Sequence, residues 1–251
     1  LQYQDLLILL KQLTKATPAD AGFRVETEHP VAWASDDHRF PRGTINDNTR
    51  SPRFVASCER VFGPRLSFLD LGCAGGGLVW DFLIRGHDAV GLEGSDRSLL
   101  SQRAEWRHLH DNLLTCDVTH PYQVRRKIDS QAATFQVITA WEVLEHISAE
   151  QLPMFLQNVR QHLSIPGYFI GSVNTLEQAD ETSGAVYHVC VQPREWWNEQ
   201  FARHGLEVCE QHPFAFDDFC RGTGNGRWDL DYREHPGSGF HIVARRAAAG
   251  N

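Results

Sequence analysis

None of the six cysteines (Cys58, Cys73, Cys116, Cys190, Cys209 and Cys220) forms a CxxC pair, so the sequence carries neither a zinc-ribbon pattern nor a dithiol redox motif. In a chain this long they are expected to be scattered, reduced and mostly buried thiols. Cationic runs are equally scarce. The longest are Arg125-Arg126-Lys127 and Arg245-Arg246, and the net charge is −8. An acidic chain without a segregated basic face is a poor partner for phosphate backbones, so no nucleic acid partner is expected. The basic residues are mostly Arg, which suits carboxylate or phosphate forks better than diffuse surface charge. Long apolar runs are missing too. Leu6-Leu7-Ile8-Leu9-Leu10 is too short to span a bilayer and is followed by Lys11 and Lys15. It reads as one face of a helix over 1–15, and a cytoplasmic protein without a membrane span or signal peptide is expected. There is no repeat and no low-complexity segment. What remains, 41% hydrophobic and 22% charged residues in 251, is the composition of a globular protein with one large domain, or one domain and an appendage.

Residues 17–53 differ from the rest. Pro18, Pro30, Pro41 and Pro52 punctuate a polar stretch, which reads as an ordered arm or lid. A helix is expected over 51–62, stopped by Gly63-Pro64. Strands and helices then alternate. Strands are expected at 66–71, 88–92, 110–116, 135–140 and 168–173, and a closing pair at 206–210 and 240–244. Helices are expected at 78–85, 98–108, 149–163 and 193–204. That alternation implies a doubly wound α/β domain, a parallel sheet covered by helices on both faces. The boundaries drawn are an N-terminal helix and substrate-covering arm over 1–65 and a domain over 66–246, with a substrate-facing insertion near 212–238.

In such a sheet ligands bind beyond the carboxyl ends of the strands, where the first strand-to-helix turn lies. Here that turn is Leu69-Asp70-Leu71-Gly72-Cys73-Ala74-Gly75-Gly76-Gly77. Its glycines remove side chains where a ligand approaches the backbone and permit positive φ. Glu93 ends the second strand about 20 positions after Gly72, the spacing of an acid that accepts both ribose hydroxyls. Taken alone, the pattern also fits a dinucleotide oxidoreductase binding NAD, or merely a tight turn.

Four stretches in order remove much of that ambiguity. Phe68-Leu69-Asp70-Leu71-Gly72-Cys73-Ala74-Gly75-Gly76 resembles the D-x-G-x-G-x-G loop of class I S-adenosylmethionine-dependent methyltransferases, with Ala74 in the place of the middle glycine. Gly91-Leu92-Glu93-Gly94-Ser95-Asp96 resembles the end of their second strand, and Leu114-Thr115-Cys116-Asp117-Val118 their third element. Val137-Ile138-Thr139-Ala140-Trp141-Glu142-Val143-Leu144-Glu145-His146-Ile147 resembles the end of the fourth strand in the ubiquinone-type O-methyltransferases. The resemblance covers about 66–175. It implies a mostly parallel seven-stranded sheet and S-adenosylmethionine as cofactor. It places Asp70 near the methionine amino group, Gly72 and Gly75 along its carboxylate and ribose, Glu93 on the ribose hydroxyls and Asp117 on the adenine. Cys73, Ala74, Gly94, Cys116, Val118, Trp141 and Glu142 join the cofactor-binding set by the same resemblance.

Methyl transfer is an in-line displacement, in which the protein aligns the reactants and removes a proton where the acceptor is a hydroxyl. Glu142, Glu145 and His146 follow the fourth strand, and a helix starting there would put them on one face. His146 or His188 is a candidate base, since imidazole titrates near neutrality, and Glu142 accompanies them. Alternatively Glu142, Glu145, His146 and His188 hold a divalent metal, Mg or Mn, as the E-x-x-E-H pattern does in small-RNA 2′-O-methyltransferases. A purely structural use as caps or arginine partners also fits. Two segments are expected to cover the substrate. The arm carries Trp33, Asp36, Asp37, His38, Arg39, Arg42, Asp47, Asn48 and Arg50. The late connection carries Phe214, Phe216, Asp217, Asp218, Phe219, Trp228, Asp229, Asp231 and Tyr232. Rings and carboxylates together suit a polyhydroxylated acceptor or an amine. Trp196-Trp197 is expected to be helix packing. The reading is an O-methyltransferase of a small molecule or glycan. An N-methyltransferase, an NAD-dependent oxidoreductase and a cofactor-binding subunit without turnover are its rivals.

Overall fold

The computed structural model describes residues 22–223 and 229–248; the helix expected over 1–15 and Trp228 lie outside them. Nine strands are present among the described residues: β1 (Phe23–Thr27), β2 (Ser67–Leu71), β3 (Asp88–Glu93), β4 (Leu113–Thr115), β5 (Tyr122–Arg126), β6 (Phe135–Ala140), β7 (Leu163–Asn174), β8 (Leu206–Val208) and β9 (Gly239–Arg246). The helices are α1 (Asp36–Arg39), α2 (Arg42–Asn46), α3 (Pro52–Phe62), α4 (Gly77–Leu83), α5 (Arg97–Leu100), α6 (Leu152–His162) and α7 (Arg194–Arg203).

Seven strands form one sheet in the order β4-β3-β2-β6-β7-β9-β8. The pairs from β4 to β7 are parallel, and β9 runs antiparallel to both its neighbours. Successive side chains point to opposite faces of a strand, so each strand supplies two cores. Leu69, Leu71, Ile138 and Phe169 join Phe155, Leu156 and Val159 of α6 and Trp197 and Phe201 of α7. Phe68, Val137, Ile170 and Val243 join Phe54 and Val55 of α3 and Val79 and Phe82 of α4 on the other face. Phe68 and Phe82 stack with centroids 3.7 Å apart. Trp197 is buried and Trp196 packs beside it, as expected of helix packing. All six cysteines are free, five of them buried. No helix among the described residues is long and apolar enough to cross a membrane.

Four elements differ from the sequence reading. The helix expected over 98–108 is interrupted. After α5 the chain turns through positive φ at Gln102 and Ala104 and continues as a 3-10 turn, Ala104–Arg107. The helix expected from Ala149 begins at Leu152, with Pro153 in its first turn, where a missing N–H costs nothing. The strand expected from Tyr168 starts earlier, at Leu163, and takes in Pro166-Gly167. Finally, β1 and β5 pair antiparallel as a separate two-stranded sheet that was not expected, Phe23 opposite Arg126 and Thr27 opposite Tyr122. Their alternation, Phe23-x-Val25-x-Thr27 and Tyr122-x-Val124, is the period-two signal that could have revealed them.

Candidate active site

Asp70 lies near the carboxyl end of β2, and the Gly72–Gly77 turn follows directly. Asp70 is buried, and the Thr139 hydroxyl donates to it at 2.6 Å. Burial lifts its carboxyl to about 7, against the opposing pull of that hydroxyl and of the Arg221 guanidinium. Glu93, at the end of β3, is also buried and raised by burial. Its two oxygens accept the Ala74 N–H at 2.7 Å and the Ser95 N–H at 3.1 Å. The loop therefore fixes the carboxylate's orientation.

Five backbone donors of the turn, Gly72 to Gly76, are engaged within the protein. Gly72 and Cys73 donate to the Leu92 carbonyl, Gly75 to the Asp47 carbonyl at 3.1 Å, and Gly76 to the Cys73 carbonyl. The arm lies on the turn. A Cβ placed on Gly75 would come within 2.4 Å of Asn48 Oδ1, so the missing side chain accommodates the arm. Gly72 is φ +73 and packs against Val143. Gly94 accepts from the Ala32 N–H at 2.8 Å. Cys116 is buried and donates its N–H to the Glu93 carbonyl. The Asp117 carboxylate accepts from Thr119 N and Oγ1 (3.0 and 2.6 Å), and Asn158 donates to the Val118 carbonyl. Trp141 is buried, edge-on to Phe54 at 5.4 Å.

A second cluster follows β6. Glu142 has φ 53, the left-handed region, and donates its N–H to Ser172 Oγ at 2.8 Å. A non-glycine residue held there marks a strained loop of the kind that clusters at sites. The carboxylate accepts from the Tyr232 hydroxyl at 2.7 Å and from Asn174 Nδ2 at 3.2 Å. A 3-10 turn, Leu144–His146, stands where a helix would have put Glu142, Glu145 and His146 on one face. Glu142 consequently turns toward Tyr232 while Glu145, His146 and His188 come together, with one ligand atom from each lying within 4.8 Å of the others. The Val189 and Cys190 N–H groups donate to the Glu145 carbonyl, which brings His188 beside His146, ring centroids 5.0 Å apart.

The arm completes this cluster. Asp37, on α1, is ion-paired with His146 Nδ1 at 2.8 Å. Burial works against the imidazolium, but Asp37, with Glu145 and Glu142 behind it, outweighs that and raises His146 to about 9. Burial and the Glu142 charge push Glu145 up. His188 is lowered, chiefly by burial, and its Nδ1–H donates to the Leu176 carbonyl at 2.5 Å. That bond leaves His188 Nε2 as the lone-pair nitrogen. Val186 N–H donates to Asp36, and the Tyr187 hydroxyl to the Phe40 carbonyl, tying the arm to the segment before His188.

Several residues expected to face a substrate do other things. Phe214 and Phe219 are core. Asp218 pairs with Arg60, Asp217 and Asp231 with Arg233, and Arg50 with Asp81. Arg221, which the sequence reading passed over, is buried and held by Asp229 and Asp47. A lone Arg in a loop gives no periodic or motif signal; only its count of acidic neighbours, scattered along the chain, could have hinted at it.

A family model described as a methyltransferase domain matches residues 43–211. The chain belongs to that family. No curated protein matches. Solved structures of similar fold include a TehB-like SAM-dependent methyltransferase from Corynebacterium glutamicum, 16% identical with a TM-score of 0.52, covering 83% of this chain and 93% of that one. Another is the Burkholderia thailandensis 1,6-didemethyltoxoflavin-N1-methyltransferase with bound 1,6-didemethyltoxoflavin and S-adenosylhomocysteine, 13% identical, TM-score 0.55, covering 99% and 91%. A third is the CcbJ methyltransferase from Streptomyces caelestis, 15% identical, TM-score 0.54, covering 87% and 99%. The site of this methyltransferase fits S-adenosylmethionine. Asp70 is a buried carboxyl with one side-chain donor among the described residues, a partner suited to an ammonium, and Glu93 is an oriented acceptor suited to vicinal hydroxyls.

Proposed function

We propose that this methyltransferase acts on a hydroxyl of a small molecule or sugar, with His188 taking the proton and the arm before residue 65 and the connection near 212–238 covering the acceptor. The observation that carries the reading is the His188 Nδ1–H bond to the Leu176 carbonyl, which points a basic Nε2 away from that bond beside His146. S-adenosylmethionine supplies an activated methyl group when bound. Asp70 and Glu93 hold its ammonium and ribose hydroxyls, and Asp117 is proposed for the adenine. The protein's remaining tasks are to orient the acceptor and to receive its proton. His188 suits the second because burial keeps it neutral. His146, kept protonated by Asp37, is a hydrogen-bond donor at neutral pH and a positioning group for the acceptor oxygen. An amine acceptor would need no such base, and that difference is testable.

Titration with S-adenosylhomocysteine and, separately, NADH tests the cofactor. Binding of the first alone is expected, and binding of NADH instead would overturn the reading. Turnover of candidate hydroxyl and amine acceptors by His188→Ala tests the base. Loss on hydroxyls with amines unaffected is expected, and equal loss on both contradicts a proton-accepting role.

A second reading is favoured by one observation: Glu145 Oε2 is buried without a hydrogen-bond partner among the described residues. Glu145, His146 and His188 would then hold Mg²⁺ or Mn²⁺, which polarises an acceptor oxygen. The Asp37 ion pair at His146 Nδ1 and the Leu176 hydrogen bond at His188 Nδ1 take the places of the outer partners that metal-bound histidines use. This reading requires His146 to shed its proton, so Mn²⁺ affinity would rise with pH. Calorimetry with Mn²⁺, comparing the wild type with Glu145→Gln, decides it; identical heats reject the metal.

A further inference from the structure

The arm segment around Thr44–Asn48 does to the site what a cofactor would do. Thr44 Oγ1–H donates to Glu93 Oε1 at 3.3 Å, as a ribose hydroxyl would. The Asp47 carbonyl takes the Gly75 N–H. The Asp47 carboxylate sits on Arg221 Nη1 at 3.2 Å. The segment is steadied by Arg103, which donates to the Thr44 and Asp47 carbonyls. Asn48 fits it imperfectly, since its Oδ1 is buried without a partner among the described residues.

Arg221 is a rigid fixture. Gly222 N–H donates to the Arg50 carbonyl and Arg53 to the Cys220 carbonyl, fixing its backbone on the root of the arm. Asp229 fills one edge of its guanidinium, accepting from Nε at 2.8 Å and Nη2 at 3.1 Å. The Nη1 end is left to Asp47 alone among the described residues. Arg221 Cζ lies 5.9 Å from the Trp141 ring, and its charge is felt by Asp70. A guanidinium with one edge taken and the other end facing a buried site is a carboxylate fork with one place that can be exchanged. The turn amides of Gly72 to Gly76, already engaged, do not offer that place.

We propose that Arg221 receives the carboxylate of the cofactor's methionine moiety, and that the segment around Thr44–Asn48 is a strap whose Asp47 carboxylate holds the place and is displaced on binding. The proposal rests on the cofactor reading above. The ammonium on Asp70 and the carboxylate on Arg221 would then be read as a pair, which discriminates the amino acid end of the ligand from a plain thioether.

The test compares S-adenosylhomocysteine with 5′-methylthioadenosine, which keeps the nucleoside and lacks the amino acid, by calorimetry on the full chain. Arg221→Gln should weaken the homocysteine ligand about 30-fold and the methylthio ligand less than about threefold. Arg221→Lys should restore part of the loss. Asp47→Asn should tighten the homocysteine ligand about fivefold by removing the competing carboxylate. Equal weakening of both ligands by Arg221→Gln overturns the assignment of Arg221. Unchanged or weaker binding by Asp47→Asn overturns the strap, and this partly exposed variant decides the matter if Arg221→Gln fails to fold. If the wild type binds neither ligand, the cofactor reading itself fails.

Discussion

The two halves of the carboxyl edge are built differently. On the β2–β3 side, Asp70 and Glu93 lie at the ends of neighbouring strands and the backbone of Ala74 and Ser95 clamps Glu93, with Arg221, and Thr44 and Asp47 of the arm, laid over them. On the β6–β7 side, the groups come from three stretches: Asp37 from the arm, Glu145 and His146 after β6, and His188 after β7. In the first half the Glu93 clamp is made by the backbone beside it, whatever the arm does. In the second, the charge of His146 is set only when the arm is docked, because its partner Asp37 belongs to the arm. If the first half takes the cofactor and the second the acceptor, as proposed above, the acceptor side is the one whose charge depends on the arm. The way to sharpen that contrast is to perturb one half and ask whether the other responds.

The largest effect is expected from His188. Its replacement by Ala should lower turnover of a hydroxyl acceptor about 10²- to 10⁴-fold, the usual contribution of a general base. Affinity for S-adenosylhomocysteine should stay within about twofold, since the cofactor half makes no use of His188. A parallel fall in cofactor affinity, measured by calorimetry, would show that the two halves are one unit.

Glu93→Ala is the converse. Removing an oriented acceptor of two hydroxyls should weaken S-adenosylhomocysteine about 100-fold, at roughly 1.5–3 kcal/mol per charge-assisted bond. The His146–Asp37 pair should persist, visible as an unchanged histidine titration by NMR. Unaltered ligand affinity in this variant would remove Glu93 from the site.

The difference in construction also explains what the sequence disclosed. Strand, glycine turn, helix and distant acid form one local pattern, so Asp70, Gly72 and Glu93 were legible along with the sheet. The Glu145–His146–His188 group was legible as residues but not as geometry. The 3-10 turn after Val143, with Glu142 at positive φ, separates Glu142 from the other three, and no periodicity encodes that. Asp37 was only one of several acids in the arm, and nothing in its neighbours singles out the one that meets His146. Arg221 was invisible because its partners, Asp47 and Asp229, are set by tertiary docking. The β1–β5 pair was missed because five-residue strands flanked by polar loop carry little signal beside the long alternation of the core.

The arm's docking should be measurable as stability. His146 is raised from about 6.5 to about 9 in the folded chain. Its contribution is therefore full below about pH 6.5 and is lost as pH rises through about 9. Asp37→Asn should cost about 2 kcal/mol in urea unfolding at pH 6, discounted for the pair's partial exposure. The gap between variant and wild type should close above pH 9. A gap independent of pH would mean that Asp37 acts as a helix residue rather than through His146.

The smallest effect separates the cofactor half's own chemistry from simple shape. Burial holds the Asp70 carboxyl near 7, so at pH 6 it is mostly protonated, with Thr139 donating to it. An ammonium partner favours the carboxylate and drives that proton off. S-adenosylhomocysteine should then bind with release of close to one proton at pH 6, read from calorimetry in buffers of different ionisation enthalpy. Its affinity should fall about tenfold for each pH unit below 7. Methylthioadenosine, without the ammonium, should show neither effect, and Asp70→Asn should abolish both. Proton release that persists in Asp70→Asn would place the titrating group elsewhere. The buried carboxyl would then be a structural partner of Thr139, and the ammonium would need another acceptor on the same edge of the sheet.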